Sequence, residues 1–205
     1  MSYSFFATLS RMKYIERWAL MRNSRQETLS EHSLEVAMIA HALCMIGNVR
    51  YGRHLDADRA ALIGLYHDAS EIITGDMPTP VKYLNSGIRT AYKEVERAAE
   101  DHLLNRIPAD LRPAYEEIFG RNTSGAENSD EDRYLRRLVK AADKISALIK
   151  CIEEERSGNT EFRTAKASTE KMLEELSREL PEVRSFLDDF LEGYGKTLDE
   201  LEEME

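Results

Sequence analysis

The sequence predicts an all-α fold in which one domain forms a helical bundle. Glycine and proline number only 10 and 5 among 205 residues, whereas alanine, leucine, glutamate, lysine and arginine, which favour helices, are abundant. Apolar residues recur at helical spacing, and no segment shows the alternation of a half-buried strand. A chain of this length is expected to bury a sizeable core. We expect that core at about residues 28–156, with C-terminal helices at about 160–205 packed on it.

The N-terminal half is predicted to hold three helices. The first lies within residues 4–16. The second spans about residues 30–47 and is apolar nearly all round, so we expect it to be central. Thr28 and Glu31 fit a capping box at its start. The third spans about residues 56–73 and is followed by a glycine that ends it.

A turn with two prolines follows the third helix, in the sequence Asp76-Met77-Pro78-Thr79-Pro80. It is expected to be rigid, because each proline fixes its own φ and pushes the preceding residue into an extended conformation. The polar stretch at 120–129 is the best candidate for a mobile loop. Further helices are predicted at about 86–107, after Pro108 or Pro113, and at about 130–156, 160–180 and 182–192.

Charge is distributed unevenly along the chain. The net charge is −10, and residues 161–205 hold 14 acidic and 6 basic residues, whereas residues 1–30 carry a net charge of +3. The acidic tail argues against a nucleic acid polymer as a partner, because such binding depends on many phosphate contacts. The basic N-terminal segment leaves room for one small anion, or is simply a solvated basic face.

Membrane insertion and secretion are not expected. No stretch approaches the roughly 20 apolar residues of a membrane span. The N-terminus lacks the basic and long apolar segments of a signal peptide. Cys44 and Cys151 lie in apolar helical runs and are expected to be reduced core residues of a cytoplasmic protein.

Two potential metal ligands, His67 and Asp68, stand side by side in an otherwise apolar helical run. Glu71 is four residues after His67 and is expected on the same helix face. Asp143 lies in the apolar face of a later helix, where an ionised carboxylate is costly unless it is paired or bound to metal. His32, His67, Asp68 and Asp143 would bring three helices together on one ion.

The proposed ligand set discriminates among metals. Two imidazoles and two carboxylates suit Mn, Co, Fe or Zn, and they disfavour Mg²⁺, which prefers oxygen ligands and water. Each residue alone could be structural, with His32 in a helix cap and His67 as a satisfied core histidine. Taken together with Glu71, they predict a site for one divalent transition metal with a further carboxylate beside it.

The ordered motifs resemble the bacterial 5′-deoxynucleotidase family of the HD-domain metal-dependent phosphohydrolase superfamily, over nearly the whole chain. The His-Asp dipeptide alone is weakly specific, but the full set with its proline turn is strongly specific. The motifs are Arg17-Trp18, Ser30-Glu31-His32-Ser33, Tyr66-His67-Asp68-Ala69-Ser70-Glu71, Gly75-Asp76-Met77-Pro78-Thr79-Pro80-Val81-Lys82 and Lys140-Ala141-Ala142-Asp143.

This resemblance implies a cytoplasmic, homodimeric HD-domain enzyme. Its substrates would be deoxyribonucleoside 5′-monophosphates, cleaved to deoxynucleoside and phosphate. The metal ligands would be His32, His67, Asp68 and Asp143, the catalytic residues Glu71 and Arg17, and the substrate contacts Arg17, Trp18, Asp68, Asp76, Met77, Pro78, Thr79 and Asp143.

Within this hypothesis, four side chains have separate roles. Arg17 would orient the phosphate through bidentate bonds, and Glu71 would take a proton from the attacking water or give one to the leaving 5′-oxygen. Trp18 would pack against C2′ of the sugar and exclude a 2′-hydroxyl, and Asp76 would accept the 3′-hydroxyl. Trp18 could equally be a core residue, and the proline turn a plain connector between helices.

Two alternatives stay open. Another HD-type phosphohydrolase could act on a nucleoside triphosphate or a signalling nucleotide, but a triphosphate needs more cations than the chain offers. Apart from Arg17, the candidates are Arg22, Arg25, Lys82 and Lys144. A catalytically silent nucleotide-binding module would be expected to lose metal ligands or Glu71, and this chain keeps them all.

Overall fold

The structure is a computed structural model that describes residues 2–82, 84–121 and 129–204, apart from the side chains of Thr79 and Pro80. The predicted mobile loop at 120–129 therefore lies largely outside the described residues. Within those ranges the chain forms helices, and its one β element is an isolated antiparallel bridge between Glu16 and Thr28. The all-α prediction is confirmed.

The helices follow one another with short connections. They are α1 (Phe5–Leu9), α2 (Leu29–Tyr51), α3 (Ala57–Tyr66), α4 (Glu71–Thr74), α5 (Thr79–Lys82), α6 (Ser86–Leu104), α7 (Arg112–Ile118), α8 (Asp130–Arg156), α9 (Arg163–Ser177), α10 (Pro181–Phe190) and α11 (Leu198–Glu202). Two 3₁₀ helices, Ser10–Tyr14 and Leu191–Gly195, follow α1 and α10. The helix predicted within residues 4–16 is thus a short α-helix continued as a 3₁₀ helix.

The central helix α2 has the predicted capping box. The Thr28 side chain accepts a bond from the backbone N–H of Glu31, and the Glu31 carboxylate accepts one from the backbone N–H of Thr28. Gly52 ends the helix in the left-handed conformation, at φ 63°, which glycine adopts without a steric penalty. α2 therefore runs four residues further than predicted.

α2 is central, as predicted, and packs against α3, α8 and α10, but it is not buried on every side. It exposes a stripe of apolar side chains at helical spacing, formed by Leu34, Met38, Met45 and Val49. By length and composition alone, α2 is the one described helix that could cross a membrane. Of its most apolar stretch, 56% is buried inside the protein. Burial of this kind is also found in the core helix of a soluble protein.

One hydrophobic core joins α2, α3, α8, α9 and α10. Fully buried leucines, isoleucines and valines from these helices pack together, among them Leu43, Leu138, Ile145, Leu173 and Val183. Each such side chain contributes roughly 1.5–3 kcal/mol through burial. A smaller cluster of Phe5, Ala69, Leu103 and Ile107 joins α1 and α6 to the segment after α3. That segment is therefore anchored to the smaller cluster through Ala69.

The prediction of one helix over about residues 56–73 is wrong, because the helix is interrupted between α3 and α4. α3 ends before His67, and α4 begins at Glu71. In between, backbone amides bond to carbonyls three residues earlier, which is the tighter 3₁₀ pattern. His67 keeps nearly helical dihedrals, at φ −58° and ψ −36°. Apolar periodicity could not reveal the break, because a turn with such dihedrals hardly changes the spacing of the side chains.

The C-terminal helices lie close to their predicted places. α8 has the predicted bounds, and Ser129 caps it by accepting a bond from the backbone N–H of Asp132. α6, α9 and α10 each end two or three residues earlier than predicted. α10 begins at Pro181, as expected for a proline in the first turn of a helix.

Candidate metal centre and substrate site

Three of the four predicted metal ligands form one tight group. One ligand atom from each of His32, His67 and Asp68 lies within 4.8 Å of the other two. His32 comes from the first turn of α2, and the other two come from the turn after α3. Asp143, from the middle of α8, lies beside this group, with Oδ1 3.2 Å from Nε2 of His32. Three segments that are distant in sequence thus meet at one place.

The donor atoms of this group fit a metal ion. The Nε2 atoms of His32 and His67 are buried and have no hydrogen-bond partner among the described residues. Carboxylate oxygens nevertheless lie close by, at 2.9 Å between His67 and Asp68 and at 3.5 Å between His32 and Asp68. Converging imidazole nitrogens and carboxylates are ligands that zinc, cobalt and manganese accept.

Both histidines are held with their Nε2 atoms turned toward the group. Nδ1 of His67 lies 2.7 Å from the backbone carbonyl of Gly64, which can only accept, so Nδ1 carries the proton. Nδ1 of His32 lies 2.9 Å from Oγ of Ser146, and that hydroxyl donates to Glu35 at 2.6 Å. Since the Ser146 proton is used, Nδ1 of His32 donates to Ser146. Such partners fix the tautomer of metal-binding histidines.

The charges in the group are strongly coupled. Burial lowers the pKa of His67, but the Asp68 carboxylate outweighs it and raises that pKa to about 9. Burial raises the pKa of Asp68, but His67 and His32 hold it well below its usual range. Without a cation, His67 therefore carries a second proton, on Nε2, near neutral pH. Metal binding is expected to displace that proton.

Glu71 is a buried carboxyl group at the start of α4, and its Oε2 has no hydrogen-bond partner among the described residues. Burial, followed by the carboxylates of Asp68 and Asp76, raises its pKa to about 9. A carboxyl group that holds a proton near neutral pH can serve as a proton carrier in catalysis.

Arg17 is buried close to the same group. Burial lowers its pKa, but the carboxylates of Glu27, Asp143 and Asp68 outweigh burial and raise it. Its Nη1 donates to Oε2 of Glu27 at 2.7 Å, and its Nε has no hydrogen-bond partner among the described residues. The guanidinium is thus anchored at one end.

Trp18 has a backbone conformation that is rare outside glycine, with φ 59°. Its backbone N–H donates to Oδ2 of Asp76 at 3.1 Å, and its indole Nε1–H donates to Glu27 at 3.1 Å. Its ring packs edge-on against Phe162, with the centroids 5.3 Å apart. Unusual backbone conformations of this kind persist where surrounding contacts enforce them, which often happens at functional sites.

The proline turn is only partly as predicted. Gly75, at φ 70°, ends α4, and Asp76 bonds to Trp18 as described above. Thr79, which was expected to be extended, instead begins the short helix α5. Met77 and Pro78 are half-buried, and the side chain of Thr79 lies outside the described residues.

Sequence reasoning missed three residues around the site: Glu27, Glu35 and Ser146. A signal existed for two of them, because Glu35 and Ser146 each follow a predicted ligand by three residues and so share its helix face. Nothing in the sequence marks Glu27, whose role depends on a loop conformation.

Comparisons with known proteins show which family the chain resembles. A family model described as 5′-deoxynucleotidase YfbR-like matches residues 4–194. The Escherichia coli protein named 5′-deoxynucleotidase YfbR is 47% identical over 197 residues, which cover 96% of this chain and 94% of that protein.

Solved structures show the same fold. An HD-domain phosphohydrolase from Listeria innocua matches with a TM-score of 0.77 and 25% identity, covering 98% of this chain and 92% of that one. The cyanophage S-2L HD phosphohydrolase, solved with dA and one catalytic Zn²⁺ ion, matches with a TM-score of 0.62 and 20% identity, covering 96% of this chain and 100% of that one. The family model and the bacterial relative both span nearly the whole chain, and this protein therefore belongs to the YfbR-like 5′-deoxynucleotidase family.

Proposed function

We propose that this protein is a metal-dependent phosphoric monoester hydrolase that cleaves deoxyribonucleoside 5′-monophosphates to deoxynucleoside and phosphate. Its family membership supports the reaction. The observation that carries the proposal is the convergence of the His32, His67 and Asp68 group with a buried carboxyl group at Glu71 and a buried guanidinium at Arg17.

The proposed cofactor is one divalent transition metal ion held by His32, His67, Asp68 and Asp143. Such an ion supplies Lewis-acid chemistry, polarising a phosphoryl oxygen and lowering the pKa of water. The two free imidazole nitrogens favour Co, Mn or Zn over Mg²⁺. The zinc ion reported for the cyanophage phosphohydrolase is consistent with this range.

In this proposal, the protein's own groups bind the phosphate and move the proton. Arg17 orients the phosphate, since Glu27 occupies only one edge of its guanidinium. Glu71 moves a proton at the reacting centre, and its raised pKa is the property expected of a general acid at neutral pH. Asp68 and Asp143 would contact the phosphate as well as the ion.

The proposed sugar contacts are Trp18 and the turn from Asp76 to Thr79, which includes Met77 and Pro78. The Trp18 ring would lie against C2′ and leave a 2′-hydroxyl without room or partner. Leaving a polar group unpaired costs about 1–3 kcal/mol, or roughly ten- to a hundredfold in discrimination. One oxygen of Asp76 bonds to the backbone of Trp18, and the carboxylate would accept the 3′-hydroxyl.

A triphosphate substrate is less well supported, because the other candidate cations have acidic partners of their own. Arg22 pairs with Glu161, Arg25 with Glu31, Lys82 with Glu96 and Lys144 with Asp143. A monophosphate requires only Arg17 and the proposed metal.

We also propose that the protein is a cytoplasmic homodimer with a single HD domain. The exposed apolar stripe of α2 supports an interface with a second copy, and the next helix, α3, also exposes Leu62 and Leu65. The shared core of α2, α8, α9 and α10 supports a single domain.

The test is phosphate release from deoxy- and ribonucleoside monophosphates, before and after chelation and re-addition of Mn, Co, Zn or Mg. Glu71→Ala should lose at least about 10²–10⁴ in turnover while it still binds metal. Glu94→Ala, which removes an exposed carboxylate of α6, is the matched control and should keep full activity. Activity that is indifferent to chelation, or near-normal turnover in Glu71→Ala, would contradict the proposal.

A further inference from the structure

We propose that Glu27 is a positioning residue that couples phosphate recognition to sugar recognition, because one of its carboxylate oxygens holds both Arg17 and Trp18. The inference rests on the proposed function, since that function assigns the phosphate to Arg17 and the sugar to Trp18. Glu27 itself is expected to touch neither the phosphate nor the reacting atoms.

The contact geometry makes Glu27 a shared anchor. Its Oε2 accepts from Nη1 of Arg17 at 2.7 Å and from Nε1 of Trp18 at 3.1 Å. Its backbone carbonyl also accepts from the backbone N–H of Arg17 at 2.9 Å. The Arg17 and Glu27 side chains are only 10% and 13% exposed, so water competes little for these bonds.

Trp18 needs such an anchor because its own backbone is in a disfavoured conformation. The left-handed φ of 59° is held by the bond from its N–H to Asp76. That bond fixes the start of the side chain, whereas Glu27 and the edge of Phe162 fix the indole ring. The ring is thus presented in one orientation, which steric exclusion at C2′ requires.

The anchor is itself rigid, because the segment before Glu27 is fastened to α8. The carboxylate of Glu154 accepts from the backbone N–H of Ser24 at 2.8 Å, and Nζ of Lys150 donates to the backbone carbonyl of Arg25 at 2.5 Å. Glu154 and Lys150 are buried and pair with each other. The position of Glu27 is therefore set by the fold rather than by substrate.

The sharing of one oxygen has a functional consequence. Any shift of the Arg17 guanidinium toward a phosphate alters its hydrogen bond to Oε2 of Glu27, and the same oxygen accepts the hydrogen bond from the indole of Trp18. Binding of the phosphate by Arg17 and the orientation of the Trp18 indole are then linked through Glu27. Removing its carboxylate should loosen both groups together.

The experiment uses the full-length protein and its single tryptophan. Because Trp18 is the only tryptophan, fluorescence excited at the long-wavelength edge of indole absorption, where the nine tyrosines absorb little, reports on this side chain. Glu27→Ala and the nearly isosteric Glu27→Gln are compared with the control Glu161→Gln. Glu161 directly precedes Phe162 in sequence, and its carboxylate pairs with Arg22. Acrylamide quenching and the ratio of kcat/KM for a deoxy- and a ribonucleoside monophosphate are measured for each.

We expect Glu27→Ala to make Trp18 more accessible to acrylamide and to reduce the preference for deoxyribose at least about tenfold. Glu27→Gln should change both quantities in the same direction but less, since an amide oxygen can still accept one bond. If Glu27→Ala does not fold, as judged by its thermal transition, Glu27→Gln alone decides. Quenching and preference that both match the Glu161→Gln control would overturn the inference.

Failure of the proposed function would look different. A wild-type protein that hydrolyses no deoxynucleotide would refute that function, yet quenching would still show whether Glu27 holds Trp18. A wild-type protein that prefers deoxynucleotides, with a preference that Glu27→Ala leaves unchanged, would refute only the coupling role of Glu27.

Discussion

At the scale of single residues, His32 and His67 both turn Nε2 toward the candidate metal site, through different hydrogen-bond partners. Nδ1–H of His67 donates a hydrogen bond to the nearby backbone carbonyl of Gly64. Nδ1–H of His32 donates a hydrogen bond to Ser146, whose hydroxyl in turn donates to Glu35 on α2. In both cases Nε2 is the nitrogen turned toward the candidate metal site, which is the arrangement that outer hydrogen bonds enforce in metal sites.

We predict that Ser146→Ala weakens metal binding by about 10–100-fold, because the buried Nδ1–H of His32 loses its acceptor and the ring loses its fixed orientation. Calorimetric titration of the metal-free protein with Zn²⁺ or Co²⁺ measures the change. Ser168→Ala, which alters an exposed serine of α9, is the control and should bind as the wild type does. Equal affinity in the two variants would rule out the role of Ser146.

At the scale of elements, the contact between α2 and α3 determines how closely the two histidines approach. A Cβ atom added to Gly64 would lie 2.8 Å from Cα of Ala37, which is too close for the backbones to stay in place. The rings of His32 and His67 have centroids 5.2 Å apart. Close helix packing and metal-site geometry therefore depend on the same glycine.

Gly64→Ala is expected to destabilise the protein by about 1–3 kcal/mol, because the added methyl group overpacks the helix contact. It should also weaken metal binding, since His67 directly follows α3 and its Nδ1 donates to the backbone carbonyl of Gly64. Urea unfolding of the metal-free protein and a metal titration measure the two effects. Gly193→Ala, where the new Cβ would meet its nearest atom at an ordinary 3.5 Å, serves as the control. A Gly64→Ala variant as stable as this control would contradict the packing argument.

At the scale of the whole molecule, the core leaves an apolar stripe of α2 uncovered. Four of its residues, Leu34, Met38, Met45 and Val49, recur at helical spacing and are exposed. Contiguous exposed apolar surface often marks a protein interface. A second copy of the chain is the partner that we propose for this stripe.

Met38→Glu is therefore predicted to convert a dimer into a monomer, because it would place a charge in an apolar interface. Light scattering coupled to size exclusion should report half of the wild-type mass. Leu198→Glu, at an exposed position in α11, should leave the mass unchanged. A wild-type monomer, or a Met38→Glu variant that keeps the dimer mass, would disprove the interface.

The sequence predicted most helices because periodicity and propensity are local properties. α8 was placed at its observed bounds, and the capping box of α2 was identified from Thr28 and Glu31 alone. The break after α3 was missed because it depends on hydrogen bonds that compete with the helix. The exposed stripe of α2 was missed because apolar composition does not show which faces find a partner.

The sequence by itself determined the family and the chemical groups of the candidate site, because ordered motifs and residue types are written directly in the chain. Its assignment of catalytic and ligand roles stays a prediction. Only the tertiary structure decided how those groups are held. Ser146 supports His32 across 114 residues of sequence, and Glu27 meets Arg17 and Trp18 only because the loop between them folds back. Such bonds require a specific distance and direction between side chains, and packing of the helices and loops fixes both.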